Sequence, residues 1–118
     1  MANEGLHEDK KDISKKTRDL HRALVSLQEE LEAIDWYCQR AEACDNEQLE
    51  AILLHNMHEE MEHAAMLIEW LRRSDSDLND HLRTYMFTET PITAIEENTT
   101  NEPETTVNEG RTIGTLKE

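Results

Sequence analysis

The sequence predicts an all-α fold built on one antiparallel pair of long helices, and three observations support this. The chain has 118 residues, which is a typical length for a single domain. No glycine or proline lies between Leu6 and Thr90, so nothing in that stretch interrupts a helix. Apolar residues there recur at alternating spacings of three and four, as in helices that pack lengthwise on one another.

The first long helix is predicted from about Asp12 to Ala43. Its apolar positions follow the spacing of a packed helix and are Leu20, Leu24, Leu27, Leu31, Ile34 and Cys38. The three residues Cys44-Asp45-Asn46 form a turn, in which Asp45 is the predicted N-cap of the next helix and Gln48 follows three positions later.

The second long helix is predicted from about Asn46 to Arg73. The short connection makes the two long helices antiparallel neighbours, each roughly 40–45 Å long at 1.5 Å per residue. A shorter third helix is predicted over Asp77–Phe87. Pro91 favours the start of a short fourth helix, because proline is tolerated in a first helical turn.

The two ends of the chain differ from this helical domain, which we assign to residues 11–97. Residues 1–10 are polar and predicted to be flexible, and residues 98–111 are rich in Thr, Asn and Glu and predicted to be a disordered linker. Residues 112–118 carry two apolar side chains, Ile113 and Leu116, beyond this linker. This pattern fits either a docking peptide on a tether or a frayed terminus.

Composition excludes several classes of protein. There are 12 Lys+Arg and 27 Asp+Glu, a formal net charge of −15, so a nucleic-acid partner is not expected and cations are favoured. No apolar run approaches the ~20 residues of a membrane span, and no signal peptide follows Met1, so a cytoplasmic location without a membrane partner is expected. Cys38 and Cys44 are predicted to be ordinary reduced cysteines.

The second helix places polar residues in the middle of its apolar face. Positions on that face, at spacings of four and three, are Leu49, Leu53, Asn56, Glu60, His63, Leu67 and Trp70. On the first helix, Glu30 similarly lies between Leu27 and Ile34. Two carboxylates and an imidazole would therefore meet where an apolar core is expected, and burying them is costly unless they are compensated.

Three arrangements would compensate these groups. His63 could be protonated and paired with Glu60 or Glu30, the helices could separate enough to admit water, or the three side chains could bind a metal. Carboxylate-bridged bundles use one Glu from each of two helices and a Glu-x-x-His from each of two others. This chain has half of that set, and a two-fold dimer would supply Glu30, Glu60 and His63 twice, with four carboxylates offsetting two divalent ions.

Other polar groups on the long helices give weaker signals. The segment from His58 to His63 superficially resembles a zinc-protease motif, but its histidines are five positions apart and do not share a face. His55, Glu59 and Glu62 do share a face, which is either an outer cation site or a solvated surface. Glu29 and Glu32 flank Glu30 and either line its approach or belong to an acidic surface. Tyr37 shares the Glu30 face.

Several segments resemble the encapsulated ferritins. The resemblance lies in residues 29–37 (EELEAIDWY), in His55-Asn56 with residues 59–66 (EEMEHAAM), and in residues 69–73, 81–85 and 91–97. The C-terminal segment is similar to that family's encapsulin-targeting peptide, Leu-Gly-Ile-Gly-Ser-Leu-Lys-Arg. Here its centre is Ile113-Gly114-Thr115-Leu116, while Arg111-Thr112 replaces the leading Leu-Gly and Glu118 the final basic residue. The resemblance spans most of residues 20–118.

The resemblance implies a ferritin-like four-helix bundle, completed by dimerisation, that acts as a ferroxidase on two Fe(II) per dimer with dioxygen or peroxide as oxidant. Glu30, Glu60 and His63 would be ligands with Tyr37 nearby, Glu29, Glu32 and Trp36 would form a site where metal enters, and His55, Glu59 and Glu62 a weak outer site. Zinc, manganese, cobalt or calcium could substitute for iron in vitro.

The resemblance further implies a homodecameric ring of dimers inside an encapsulin nanocompartment, bound to the shell through residues 112–118, with iron stored by the shell. The alternative is a non-catalytic helical cargo or adaptor protein whose polar seam holds a structural metal or an ion pair. A haemerythrin-like oxygen carrier would require more histidines on the core faces than His63 alone.

Overall fold

A computed structural model describes residues 5–101, and all regular structure in that range is helical. Four α-helices follow one another: α1 (Lys15–Ala43), α2 (Glu47–Ser74), α3 (Ser76–Tyr85) and α4 (Ile92–Asn101). A short 3-10 turn, Lys10–Asp12, precedes α1. The prediction of an all-α fold is therefore confirmed. None of the described helices is both long and apolar enough to cross a bilayer.

The start of α1 differs from the prediction by three residues. Ser14 is the N-cap, because its hydroxyl oxygen accepts a hydrogen bond from the backbone N–H of Thr17 at 3.1 Å. Lys10–Asp12 belong to the preceding 3-10 turn instead of the helix. The hydroxyl of Ser14 satisfies an N–H that has no partner within the helix, and this decides where α1 begins.

The predicted N-cap of α2 is wrong by one residue. The side-chain oxygen of Asn46 accepts a hydrogen bond from the backbone N–H of Leu49 at 2.9 Å, so Asn46 is the cap and Asp45 lies in the turn. Helix α2 accordingly begins at Glu47. Asp45 and Asn46 are both good capping residues, and the path of the turn decides which of them lies next to the first helical residue.

The described chain divides into two compact units, with a boundary between Trp70 and Leu71. In the first unit the buried apolar residues are three alanines, Ala23, Ala41 and Ala64. Many larger apolar side chains of this unit are exposed instead: Leu24, Leu31, Trp36, Leu49, Ile52, Met61, Met66 and Trp70. Part of the apolar face predicted from the spacing of α1 and α2 is therefore uncovered in a single chain.

The second unit contains the end of α2 with α3 and α4. Asp75 caps α3 through a hydrogen bond from the backbone N–H of Leu78, and α3 packs on α4. Pro91 precedes α4, and its carbonyl oxygen accepts from Ala94 and Ile95, which confirms a fourth helix at this proline. Leu71 and Ile95 are the buried apolar residues of this unit.

Of the two C-terminal segments predicted from the sequence, the structure describes only the start of the first. Helix α4 continues to Asn101, so the first four residues of the linker predicted at 98–111 are helical. Thr and Asn are only weak helix formers, and the turn nucleated at Pro91 carries the helix through them. The rest of that linker and the docking peptide predicted at 112–118 lie outside the described residues.

Candidate metal centre

The antiparallel connection of α1 and α2 brings Glu30 opposite Glu60 and His63. Glu30 and Glu60 are each fifteen positions from Asp45, in the middle of the turn, so two antiparallel helices place them at the same level. His63 lies three residues after Glu60 and therefore shares its face, one turn along. We call Glu30, Glu60 and His63 the central group.

The imidazole of His63 lies between the two carboxylates. Its Nδ1 is 3.3 Å from Oε1 of Glu60 and 3.7 Å from Oε1 of Glu30. One ligand atom from each of the three residues lies within 4.8 Å of the other two. Within residues 5–101, no other set of His, Cys, Asp or Glu brings three such atoms together.

The central group is only partly shielded from solvent in one chain. The carboxylate side chains of Glu30 and Glu60 are 23% and 24% exposed, and the imidazole of His63 is 46% exposed. Burial of these residues in an apolar core, which the spacing predicted, is therefore not achieved by α1 and α2 alone. Each group keeps open coordination directions toward solvent.

The protonation of the central group reflects the crowding of two carboxylates. A hydrogen bond with Glu60, together with burial and the charge of that carboxylate, raises the pKa of Glu30 above its ordinary value. The same hydrogen bond, helped by His63, lowers the pKa of Glu60. The hydrogen bond with Glu60 and the surrounding carboxylates raise the pKa of His63. The raised pKa values of Glu30 and His63 favour protons on these groups, and such protons would reduce the repulsion between the two carboxylates.

A divalent cation fits the same position, because it would replace those protons. Two carboxylates and one imidazole are the donor set that Mn²⁺, Fe²⁺, Co²⁺ and Zn²⁺ accept. Three ligands leave each ion open to further ligands. One chain could hold one ion loosely, and a second copy of the three residues would be needed for a bridged pair of ions.

The second predicted metal group, His55, Glu59 and Glu62, is not brought together in the same way. We call these three residues the outer stripe. Nε2 of His55 is 3.8 Å from Oε2 of Glu59, and both side chains are well exposed. Glu62 is exposed on the same helix and does not join them in a group of three ligand atoms. Within residues 5–101, no facing helix completes a group of three ligand atoms with this stripe.

Glu59 has a contact that the spacing analysis missed. Its Oε1 lies 3.9 Å from Nε2 of His63, while its Oε2 faces His55. Glu59 therefore connects the outer stripe to the central group. The signal for this contact was present in the sequence as the interval of four between Glu59 and His63, which places them on neighbouring turns.

The residues expected around the site lie along α1. Glu29 and Glu32 are exposed on either side of Glu30, and Trp36 is 48% exposed. Tyr37 is half-buried, and the guanidinium carbon of Arg40 lies 5.4 Å from its ring centre and 5.8 Å from that of Trp36. Both distances are typical of a cation–π contact. Cys38 and Cys44 are both free thiols.

Comparison with known proteins supports a relationship over most of the chain. The family model described as EncFtn-like matches residues 5–89. An encapsulated ferritin-like protein from Rhodospirillum rubrum is 54% identical over 96 residues, which are 81% of this chain and 69% of that protein. An encapsulin nanocompartment cargo protein, EncC, from Myxococcus xanthus is 41% identical over 59 residues, or 50% of this chain and 45% of that protein.

A solved structure supports the same relationship. The crystal structure of protein ne0167 from Nitrosomonas europaea matches with a TM-score of 0.72 and 53% identity, over 75% of this chain and 97% of that one. The family model covers far more than half of the chain, and the segments that carry the resemblance found in the sequence lie largely within it. The chain therefore belongs to the EncFtn-like family of encapsulated ferritin-like proteins.

Proposed function

We propose that this protein is a ferroxidase whose di-iron centre forms between two copies of the chain. The observation that carries the proposal is the central group, in which Glu30, Glu60 and His63 bring three ligand atoms within 4.8 Å. A second copy of the chain, related by a two-fold axis beside this group, would bring the total to four carboxylates and two imidazoles. That is the full ligand set of a carboxylate-bridged pair of metal ions in a helical bundle.

The surface of the single chain supports this assembly. Leu24 and Leu31 of α1 are 48% and 51% exposed, and Leu49, Met61 and Trp70 of α2 are more than two-fifths exposed. Among the described residues no large side chain is fully buried. A second copy packed on these positions would supply the missing core and would shield the central group from water. We extend the proposal to a homodecameric ring of such dimers.

The residues of the central group would hold the metal and accept the charge changes of the reaction. Iron is the substrate, and each Fe(II) loses one electron to become Fe(III). Two Fe(II) reduce one dioxygen to hydrogen peroxide with uptake of two protons, or reduce one peroxide to two waters with uptake of two protons. The four carboxylates stabilise Fe(III) more than Fe(II), because a negative charge attracts a trivalent ion more strongly than a divalent one.

Aerobic oxidation of Fe(II), followed by absorbance, tests this proposal. We expect a fast phase in the wild type that saturates near two irons per dimer, and its loss in Glu60→Ala, because that variant removes a carboxylate from each copy. Glu62→Ala is the matched control, since Glu62 is exposed two residues away and outside the central group. The oligomeric mass is measured on the same samples.

Three outcomes would contradict the proposal. Equal background rates in wild type and Glu60→Ala would mean that the central group is structural. Binding of redox-inert zinc with no iron turnover would favour the alternative, a non-catalytic cargo or adaptor protein. Loss of the fast phase in Glu62→Ala would move the site to the outer stripe.

We further propose that the protein is cargo of an encapsulin shell in the cytoplasm. Its support is the name of the relative from Myxococcus xanthus and the segment Ile113-Gly114-Thr115-Leu116. Deletion of residues 112–118 should leave iron oxidation unchanged but prevent co-purification with co-expressed shell protein. A truncated chain that still purifies inside shells would show that another surface directs encapsulation.

A further inference from the structure

A cleft of about 500 Å³ lies between the segment Leu6–Lys10 and the first half of α1. Its lining surface is mostly apolar and includes Leu6 and Val25, and four nitrogen-bearing side chains, those of Lys10, Arg18, His21 and Arg22, also line it. Its volume falls in the range of pockets that bind small molecules in proteins, roughly 300–1,000 Å³.

The positive charge around this cleft contrasts with the rest of the chain. Residues 6–22 contain the N-terminal wall of the cleft and the cationic part of α1, and they carry six Lys and Arg against four Asp and Glu, although the whole chain has a net charge of −15. A segment with a small excess of positive charge on an acidic protein attracts anions more than the rest of the surface does.

Two of the cations have no carboxylate partner among the described residues. Arg18 donates a hydrogen bond from Nη1 to the backbone oxygen of Ile13 at 2.6 Å, which orients the guanidinium without neutralising its charge. Within residues 5–101, neither Lys10 nor Arg18 has a carboxylate at ion-pair distance. Arg22 differs, because its Nη1 lies 2.6 Å from Oδ1 of Asp19.

The walls of the cleft are held by regular structure and a close contact. Arg18, Arg22 and Val25 are spaced by four and three residues, so they share one face of α1. Gly5 lies directly on the imidazole of His21, and a Cβ added to Gly5 would be 2.9 Å from Cε1 of that ring. The absence of a side chain at Gly5 therefore allows the N-terminal segment to lie close to α1.

We propose that this cleft binds a small organic anion, a carboxylate or phosphate carried on a compact apolar body. The anionic group would contact Lys10 and the guanidinium of Arg18, whose planar fork matches both oxyanions. The apolar body would lie on Leu6 and Val25. Glu29 also lines the cleft, but it is eleven residues from Arg18, about 16 Å along the helix. Its negative charge would repel an anion from that end of the cleft.

Calorimetric titration of the metal-free full chain with four probes tests the proposal. The probes are phenyl phosphate, benzoate, inorganic phosphate and benzyl alcohol. We expect at least one aromatic anion to bind tenfold or more tightly than both inorganic phosphate and benzyl alcohol, and the tighter of the two identifies phosphate or carboxylate as the ligand group. Equal binding of benzyl alcohol, or no binding of either aromatic anion, overturns the proposal.

Variants locate the binding in this cleft. Arg18→Gln should weaken the aromatic anion at least tenfold, whereas Lys16→Gln, the same charge change at an exposed position outside the cleft, should not. Asp19→Asn should strengthen binding severalfold, because it releases Arg22, and Asp35→Asn is the control for its charge change. Equal effects of each variant and its control would overturn the assignment, and the gain expected from Asp19→Asn cannot arise from misfolding.

Discussion

Helix α2 carries two stripes of the same residue types, and only one of them forms a compact group of ligands. The central group uses Glu60 and His63, at an interval of three, and the outer stripe uses His55, Glu59 and Glu62, at intervals of four and three. The central group gains Glu30 from the facing helix and brings three ligand atoms within 4.8 Å. The outer stripe has no such partner in the described chain, and the contact between its own members, from Nε2 of His55 to Oε2 of Glu59, is long, at 3.8 Å.

This difference shows that helical spacing is necessary for a metal site but does not create one. Residues three or four apart share a face in either stripe. The closeness of a ligand from a second helix raises the local density of negative charge, which is consistent with the raised pKa of Glu30 beside the Glu60 carboxylate. A cation therefore binds more favourably at the central group than at an exposed acidic surface, where solvent screens the carboxylates.

The largest effect should come from removing the ligand on the facing helix. Glu30→Ala leaves both stripes of α2 intact, so it separates the contribution of α1 from that of spacing. We expect the affinity for Co²⁺, measured by its visible absorption, to fall by about a hundredfold or more, since changes that only reorient ligands already cost 10–100-fold.

Glu32→Ala is the matched control for that variant. Glu32 is an exposed carboxylate two positions away on the same helix, and its removal should leave Co²⁺ binding within about twofold of the wild type. If Glu30→Ala and Glu32→Ala bound Co²⁺ equally well, the facing helix would not be what distinguishes the central group.

A smaller effect is expected at Glu59, the residue shared between the two stripes. Its carboxylate lies 3.9 Å from Nε2 of His63, so Glu59→Gln should weaken Co²⁺ binding several-fold, through the loss of a charge that supports the imidazole. His55→Ala, which removes the other partner of Glu59, should have no measurable effect. A larger loss in His55→Ala than in Glu59→Gln would make the outer stripe the stronger site.

The smallest effect is the pH dependence of the stability that His63 contributes, and its sign should differ between metal-free and metal-loaded protein. In the metal-free protein the raised pKa of His63 contributes stability below its unfolded value of 6.5, and this contribution is lost as the pH rises through the folded value. Metal binding requires an unprotonated imidazole, so stabilisation by Zn²⁺ should increase over the same pH range.

Thermal unfolding of wild type and His63→Gln between pH 6 and pH 9 measures both effects. Without metal, the difference in Tm between the two proteins should shrink as the pH rises. With saturating Zn²⁺ it should grow. A difference that changes in the same direction under both conditions would mean that His63 does not exchange its proton for the metal.

The sequence by itself determined those features that depend on neighbours along the chain. The absence of glycine and proline between Leu6 and Thr90, together with the apolar spacing, predicted the long helices, because helix formation is a local process. Proline at position 91 marked the start of α4 for the same reason. The shared face of Glu60 and His63 followed from 3.6 residues per turn and needed no knowledge of the partner helix.

Only the tertiary structure decided which side chains from separate parts of the chain meet. The turn selected Asn46 and not Asp45 as the cap of α2, although the two residues have equal capping ability. The level at which α1 faces α2 leaves Leu24 and Leu31 exposed, despite their regular spacing, and brings Glu30 onto His63. The N-terminal segment, which looked merely polar, forms one wall of a cleft through Gly5 and His21. Such contacts depend on the relative level and rotation of packed segments, and these arise from the sum of many side-chain contacts that no local stretch of sequence encodes.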